Sequence, residues 1–216
     1  MQEKTMRDIL RLSFKEEVGN SITHGVMALL CLFFLPYFAV YSYIKGGILR
    51  CVGVSIFIIC LFLMFLISTI YHSMAYDSEQ KYIFRKLDHI CIYLAIAGSY
   101  TPIALCVMDG WIRVLILALE WGMVIAGILL KSISKKSYPI LSTTIYLVMG
   151  WTAILFIPAL LQHSSILFLS FIVLGGIMYS IGVFFYSKHI SFFHFVWHIF
   201  INIASICHII AIVYFM

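Results

Sequence analysis

The sequence predicts an all-α integral membrane protein, a bundle of seven transmembrane helices. Three observations carry that prediction. Apolar residues make up 63% of the 216 and charged residues only 11%, with a mean hydropathy of +1.08, against about 45–50% and about 25% in ordinary soluble chains. A soluble domain of this size could not hide so much apolar surface. The apolar residues gather into seven nearly uncharged runs, each close to the roughly 20 residues a helix needs to cross about 30 Å of hydrocarbon. Within each run they are continuous rather than alternating, which argues against the strands of a membrane barrel.

The elements follow in order. Residues 1–23 are polar and charged, with Met6, Ile9, Leu10, Leu12 and Phe14 interleaved as in a short interfacial helix on the cytoplasmic side. No small-residue cleavage site follows a short apolar core there, so the segment does not read as a signal peptide. The transmembrane domain, 24–216, carries spans at 25–44, 51–71, 90–108, 114–130, 138–161, 166–187 and 195–216, the fourth interrupted by Glu120. Pro36, Pro102, Pro139 and Pro158 fall inside spans or at their ends, where neighbouring helices can satisfy freed carbonyls. Gly176-x-x-x-Ser180 places two small residues on one helix face, suited to close packing. Six cysteines lie in apolar runs without a Cys-x-x-Cys pair, which reads as buried thiols and not as a disulfide framework.

Orientation follows from the basic residues. With seven spans, the N-terminus and the even-numbered loops share one side. That side holds Lys4, Arg7, Arg11, Lys15, Lys81, Arg85, Lys86, Lys131, Lys135, Lys136 and Lys188, and the other only Lys45, Arg50 and Arg113. The N-terminus is therefore expected in the cytoplasm and the C-terminus outside. The net charge of +5 reads as a topology signal, with no nucleic-acid surface; the expected location is the plasma membrane, and the expected partners are membrane lipids.

Polar groups in a bilayer are costly and mark function. Span two ends with Ser68 and His72, four residues apart and so on one helix face. Asp88 introduces span three, and His194 and His198, again four apart, open span seven. The orientation brings all of them to the cytoplasmic end. Singly, each histidine reads as an interfacial residue paired with phosphates or carbonyls. As a set at one depth, His72, His194 and His198 match the three imidazoles of a catalytic zinc site, where zinc lowers the pKa of bound water to about 7. Asp88 then fits as the group that takes the water's proton, and Ser68 as a donor to a developing oxyanion.

Glu17, Asn20 and His24 share a face entering span one, suited either to supporting the zinc ligands or to binding headgroups. His89 points away from Asp88 and reads as a structural or headgroup contact. Glu120 and His208 fall deeper, as a buried Glu–His pair near Asn202 or as neutral interhelical hydrogen-bonding groups. His163 and His189, in loops, carry no clear signal.

The pattern Ser68-x-x-x-His72, Asp88, His194-x-x-x-His198 resembles the superfamily that joins the progestin and adipoQ receptors with the alkaline ceramidases. Within it, Asn20-Ser21-Ile22-Thr23-His24-Gly25 and Ala97-Gly98-Ser99-Tyr100-Thr101-Pro102 resemble the bacterial hemolysin III family. That resemblance implies a seven-helix bundle in the bacterial inner membrane with zinc near the cytoplasmic face. It also implies hydrolysis of lipid amides such as ceramides, a lytic activity after the family name, or a part in membrane-fluidity homeostasis. Three functions follow. One is a zinc-dependent hydrolase that takes a lipid amide or ester, or a fatty acid, between its helices. Another is a non-catalytic lipid-packing protein with a structural zinc. The third is a pore-forming cytolysin, which the scarcity of polar residues in the spans argues against.

Overall fold

A computed structural model of the chain describes residues 11–76, 78–133, 138–188 and 190–216. The first ten residues, with Lys4 and Arg7, and likewise Lys135, Lys136 and His189, lie outside the described residues. All regular structure among the described residues is helical.

Helix α1 (Phe14–Ser73) begins at a capping box. The Ser13 hydroxyl accepts from the Glu16 amide, and the Glu16 carboxylate accepts from the Ser13 amide. Its 60 residues would make a rod of about 90 Å if straight. Instead Gly46 and Gly47 leave helical geometry, and Gly47 has φ +70, a conformation open to glycine and resisted by L side chains. There the chain folds back on itself. Ser21 Oγ donates to the Thr69 carbonyl at 3.2 Å and lies 2.7 Å from Ser73 Oγ, so α1 is two antiparallel arms.

Helix α2 (Glu79–Cys106) is capped by Ser78, whose hydroxyl accepts from the Lys81 amide. Then come α3 (Gly110–Ile133), α4 (Pro139–Trp151), a 3-10 stretch (Thr152–Phe156), α5 (Ile157–His163), α6 (Ile166–Tyr186) and α7 (Phe193–Ile210), which ends in a π-helical turn at Ala211–Phe215. Counting Pro139–His163 as one, six helices among the described residues are long and apolar enough to cross a membrane, and the folded α1 is the first of them.

The elements differ from their expected bounds in two ways. Helices α1 and α2 start at Phe14 and Glu79, where the apolar runs suggested 25 and 90. Apolarity marks where lipid begins, whereas a capping serine marks where the helix begins. The described part of the N-terminal segment is thereby continuous with α1, and Asp88 lies well inside α2. The fifth span is broken by the 3-10 stretch just before Pro158. The proline ring opposes the carbonyl four residues earlier, and the turns before it tighten.

The second arm of α1 is the axis of the core, with Val54, Phe57, Ile58, Leu61 and Phe65 all but fully buried. The Trp151 ring lies against Gly176 on α6, and its Nε1 donates to Ser180 Oγ at 3.0 Å, so the small-residue face does seat a neighbouring helix. All six cysteines are free, four of them buried.

Candidate metal centre

His72, near the end of α1, and His194 and His198, in the first turns of α7, converge at one end of the bundle. One nitrogen from each lies within 4.8 Å of the others, an arrangement that could hold a metal ion. His194 Nε2 and His198 Nε2 stand 3.3 Å apart. Two nitrogens on one tetrahedral zinc at 2.0–2.1 Å also stand about 3.3 Å apart, so the pair fits that ion.

The third imidazole is prepared by its neighbours. His72 Nδ1 lies 2.6 Å from Glu17 Oε2. A carboxylate accepts, so Nδ1 carries the proton and Nε2 is left with a free lone pair. That Nε2 is buried and has no hydrogen-bond partner among the described residues. A carboxylate behind a metal-ligating histidine fixes both its tautomer and its ring orientation. Glu17 is itself held by Lys81, whose Nζ donates to Glu17 Oε1 at 2.7 Å and to the Met74 carbonyl at 3.2 Å. Lys81 is 1% exposed, its ammonium 4.9 Å from the centre of the Tyr71 ring.

The other expected residues are distributed around this triad. His24, from the first arm of α1, lies against His198 with ring centroids 3.8 Å apart. Both nitrogens of His24, and both side-chain polar atoms of Asn20 one turn earlier, are buried without a hydrogen-bond partner among the described residues. Ser68 and Asp88 are buried together at one end of a cavity of about 350 Å³, which His24 also lines. The Ser68 hydroxyl faces the Asp88 carboxylate. From there the cavity runs between α2, α4 and α6 past Ile96, Ile103 and Ile172 to Leu160 and Leu169. Its walls are apolar for most of that length.

Four residues fall elsewhere. His89 Nδ1 accepts from Lys131 Nζ at 3.4 Å. Glu120 is fully buried on α3 within reach of the Thr152 hydroxyl, and His208 Nε2 donates to the Ile172 carbonyl at 3.2 Å. The two deep residues therefore do not pair with each other. His163, at the end of α5, is exposed.

Sequence reasoning passed over Lys81 and Glu16. Lys81 entered only as one positive charge in a topology count, and its partner lies on another helix. Glu16 Oε2 accepts from Ser13, while its Oε1 accepts from the backbone amide of Phe192. Phe192 has φ +63 at the entry to α7, two residues before His194. Adjacent glutamates thus reach both sources of imidazoles. The S-x-x-E capping box was the one signal in the sequence that could have singled Glu16 out.

Comparison with known proteins finds relatives along nearly the whole chain. The family described as haemolysin-III related matches residues 12–209. The "Hemolysin-3 homolog" of Bacillus subtilis (strain 168) is 37% identical over 190 residues, covering 88% of this chain and 89% of that protein. The "Hemolysin-3" of Bacillus cereus is 35% identical over 188 residues, covering 87% and 85%. More distantly, the human "Monocyte to macrophage differentiation factor" is 26% identical over 155 residues, covering 69% of this chain and 64% of that one. With its apolar helices and its match over nearly the whole length, the chain belongs to the haemolysin-III-related family of multi-pass membrane proteins.

Proposed function

We propose that the protein is a zinc-dependent hydrolase of a lipid amide or ester, with its reacting centre at the cytoplasmic end of the bundle. The observation that carries this reading is the meeting of two features. A histidine triad able to hold a metal lies beside Ser68 and Asp88, and those two residues close one end of an apolar cavity of about 350 Å³. Ligand sites are commonly cavities of about 300–1,000 Å³ with a few polar groups set in apolar walls.

His72, His194 and His198 would hold the ion through neutral imidazoles. Zinc bound to three histidines supplies a water acidified to about pKa 7 and a Lewis acid for a carbonyl. Asp88 would hold a proton at its carboxylate and pass it to the leaving amine or alcohol. Ser68 donates to the oxygen on which charge develops. Glu17, anchored by Lys81, keeps His72 in the ligating tautomer. The apolar walls hold the hydrocarbon chain and keep bulk water from the reacting carbonyl.

We read the chain as crossing the membrane seven times, with each arm of α1 counted once, the N-terminus in the cytoplasm and the C-terminus outside. Lys81 and Lys131 lie at the histidine end, paired with Glu17 and His89. Arg50 and Arg113 bond at the opposite end, to carbonyls of Val213, Ala104 and Met108. That separation agrees with the excess of positive charge on the cytoplasmic side.

A second reading, a metal that only fastens the bundle, draws support from the ligands' origin in α1 and α7. The experiment that separates the two is metal analysis together with a lipid-amide hydrolysis screen. Purified protein should carry about one zinc per chain, lost in the His194→Ala, His198→Ala double variant; unchanged zinc there would defeat the ligand assignment. Asp88→Ala should abolish turnover and keep most of the metal. No turnover in the wild type on any lipid amide or ester would leave the fastening role.

A further inference from the structure

The proposed hydrolysis leaves several polar side chains of the cavity unused, and His208 is the deep imidazole among them. His208 follows His198 on α7 by about 15 Å of helix rise and lines the same cavity. Its ring is seated with care. On the facing helix stands Gly175, where a Cβ would come within 2.3 Å of His208 Cδ2 and 2.5 Å of Nε2; only a glycine lets the imidazole lie directly on the α6 backbone. Nε2 is anchored there by donating to the Ile172 carbonyl. A carbonyl only accepts, so Nε2 carries the proton and Nδ1 is left as an acceptor. Among the described residues no group donates to it. Nearby cavity walls are Ile172, Val173, Leu169 and Ile201, with the Tyr179 ring edge-on at 5.4 Å.

An acceptor held rigidly in an apolar wall discriminates among ligands: a chain that brings a donor to that depth satisfies it, and a plain hydrocarbon leaves it unpaired. The donor must be neutral, because the surroundings would penalise a charge. A hydroxyl meets both conditions. We propose that His208 forms a subsite that reads a hydroxyl group midway along the hydrocarbon chain of a lipid whose polar end lies at the metal centre. This rests on the cavity being the lipid site.

The test is displacement of a fluorescent fatty acid from the purified full-length protein in nanodiscs. The competitors are stearate, stearate hydroxylated at mid-chain, and stearate hydroxylated beside its carboxylate. The mid-chain hydroxy acid should compete at about fivefold lower concentration than the other two, the worth of about one net hydrogen bond. In His208→Phe, which keeps a ring against Gly175, that advantage should vanish. Equal competition by all three acids in the wild type overturns the subsite, as does a preference that survives in His208→Phe. The positional control reads out in the wild type alone, so the result does not depend on the variant folding. Competition by none of the three removes the lipid reading of the cavity, and the subsite with it.

Discussion

Glu17 stands between two buried groups of opposite use, accepting from His72 with one oxygen and from Lys81 with the other. Its charge matters in both directions, because a buried ammonium without its carboxylate is strongly destabilising. Glu17→Gln keeps the shape, loses the charge and loosens the hold on the His72 tautomer. Zinc affinity should fall about 10- to 100-fold, measured by competition with a chromophoric chelator; unchanged affinity would remove Glu17 from the support of the metal centre. The triad itself was legible from two i, i+4 spacings and a charge count. The role of Lys81 was not. Its ammonium bonds a side chain on α1 and a carbonyl in the α1–α2 turn, a long-range pairing that leaves no periodic trace in the sequence. Likewise, the spacing of Asn20 and His24 showed a shared face, but only packing brings the His24 ring onto His198.

At the scale of the element, the reversal at Gly46–Gly47 is what converts one 60-residue helix into a hairpin. Open space surrounds Gly47, so a side chain there meets no steric obstacle and only the backbone conformation resists it. Gly47→Ala should therefore cost about 1–2 kcal/mol, the strain of holding an L residue at positive φ, read as a lowered thermal midpoint in detergent. Gly122→Ala, also in open space but helical, should leave stability unchanged or slightly raised. The apolar helices themselves were readable because continuous apolar runs of that length form membrane-spanning helices. Helix starts and the 3-10 interruption were not, because they depend on serine caps and on the carbonyl that Pro158 displaces. Those signals are local and carry no hydrophobic signature.

For the whole molecule, the ligands of the candidate metal come from helices at the two ends of the sequence, α1 and α7. An ion bound there stabilises the assembled bundle by mass action, about 2.7 kcal/mol at a free concentration of 100 Kd. Removing it with a chelator should lower the thermal midpoint and restoring zinc should recover it, whereas the His194→Ala, His198→Ala variant should not respond to either. The seven-crossing reading has its own check: a periplasm-dependent alkaline phosphatase fused after Met216 should be active, and one fused after Lys188 inactive. Activity in both or neither would require another path through the bilayer.

Gathering side chains of the first and last helices into one candidate ion site also bears on the order of events during biosynthesis. While the ribosome is still making α6, the chain has His72 in place and neither of its two partners. Capture of an ion by all three imidazoles would be a late step, taken after α7 has been inserted and docked beside the first arm of α1. A nascent chain halted before Phe193 would reach the membrane with most of its helices and no affinity for the ion.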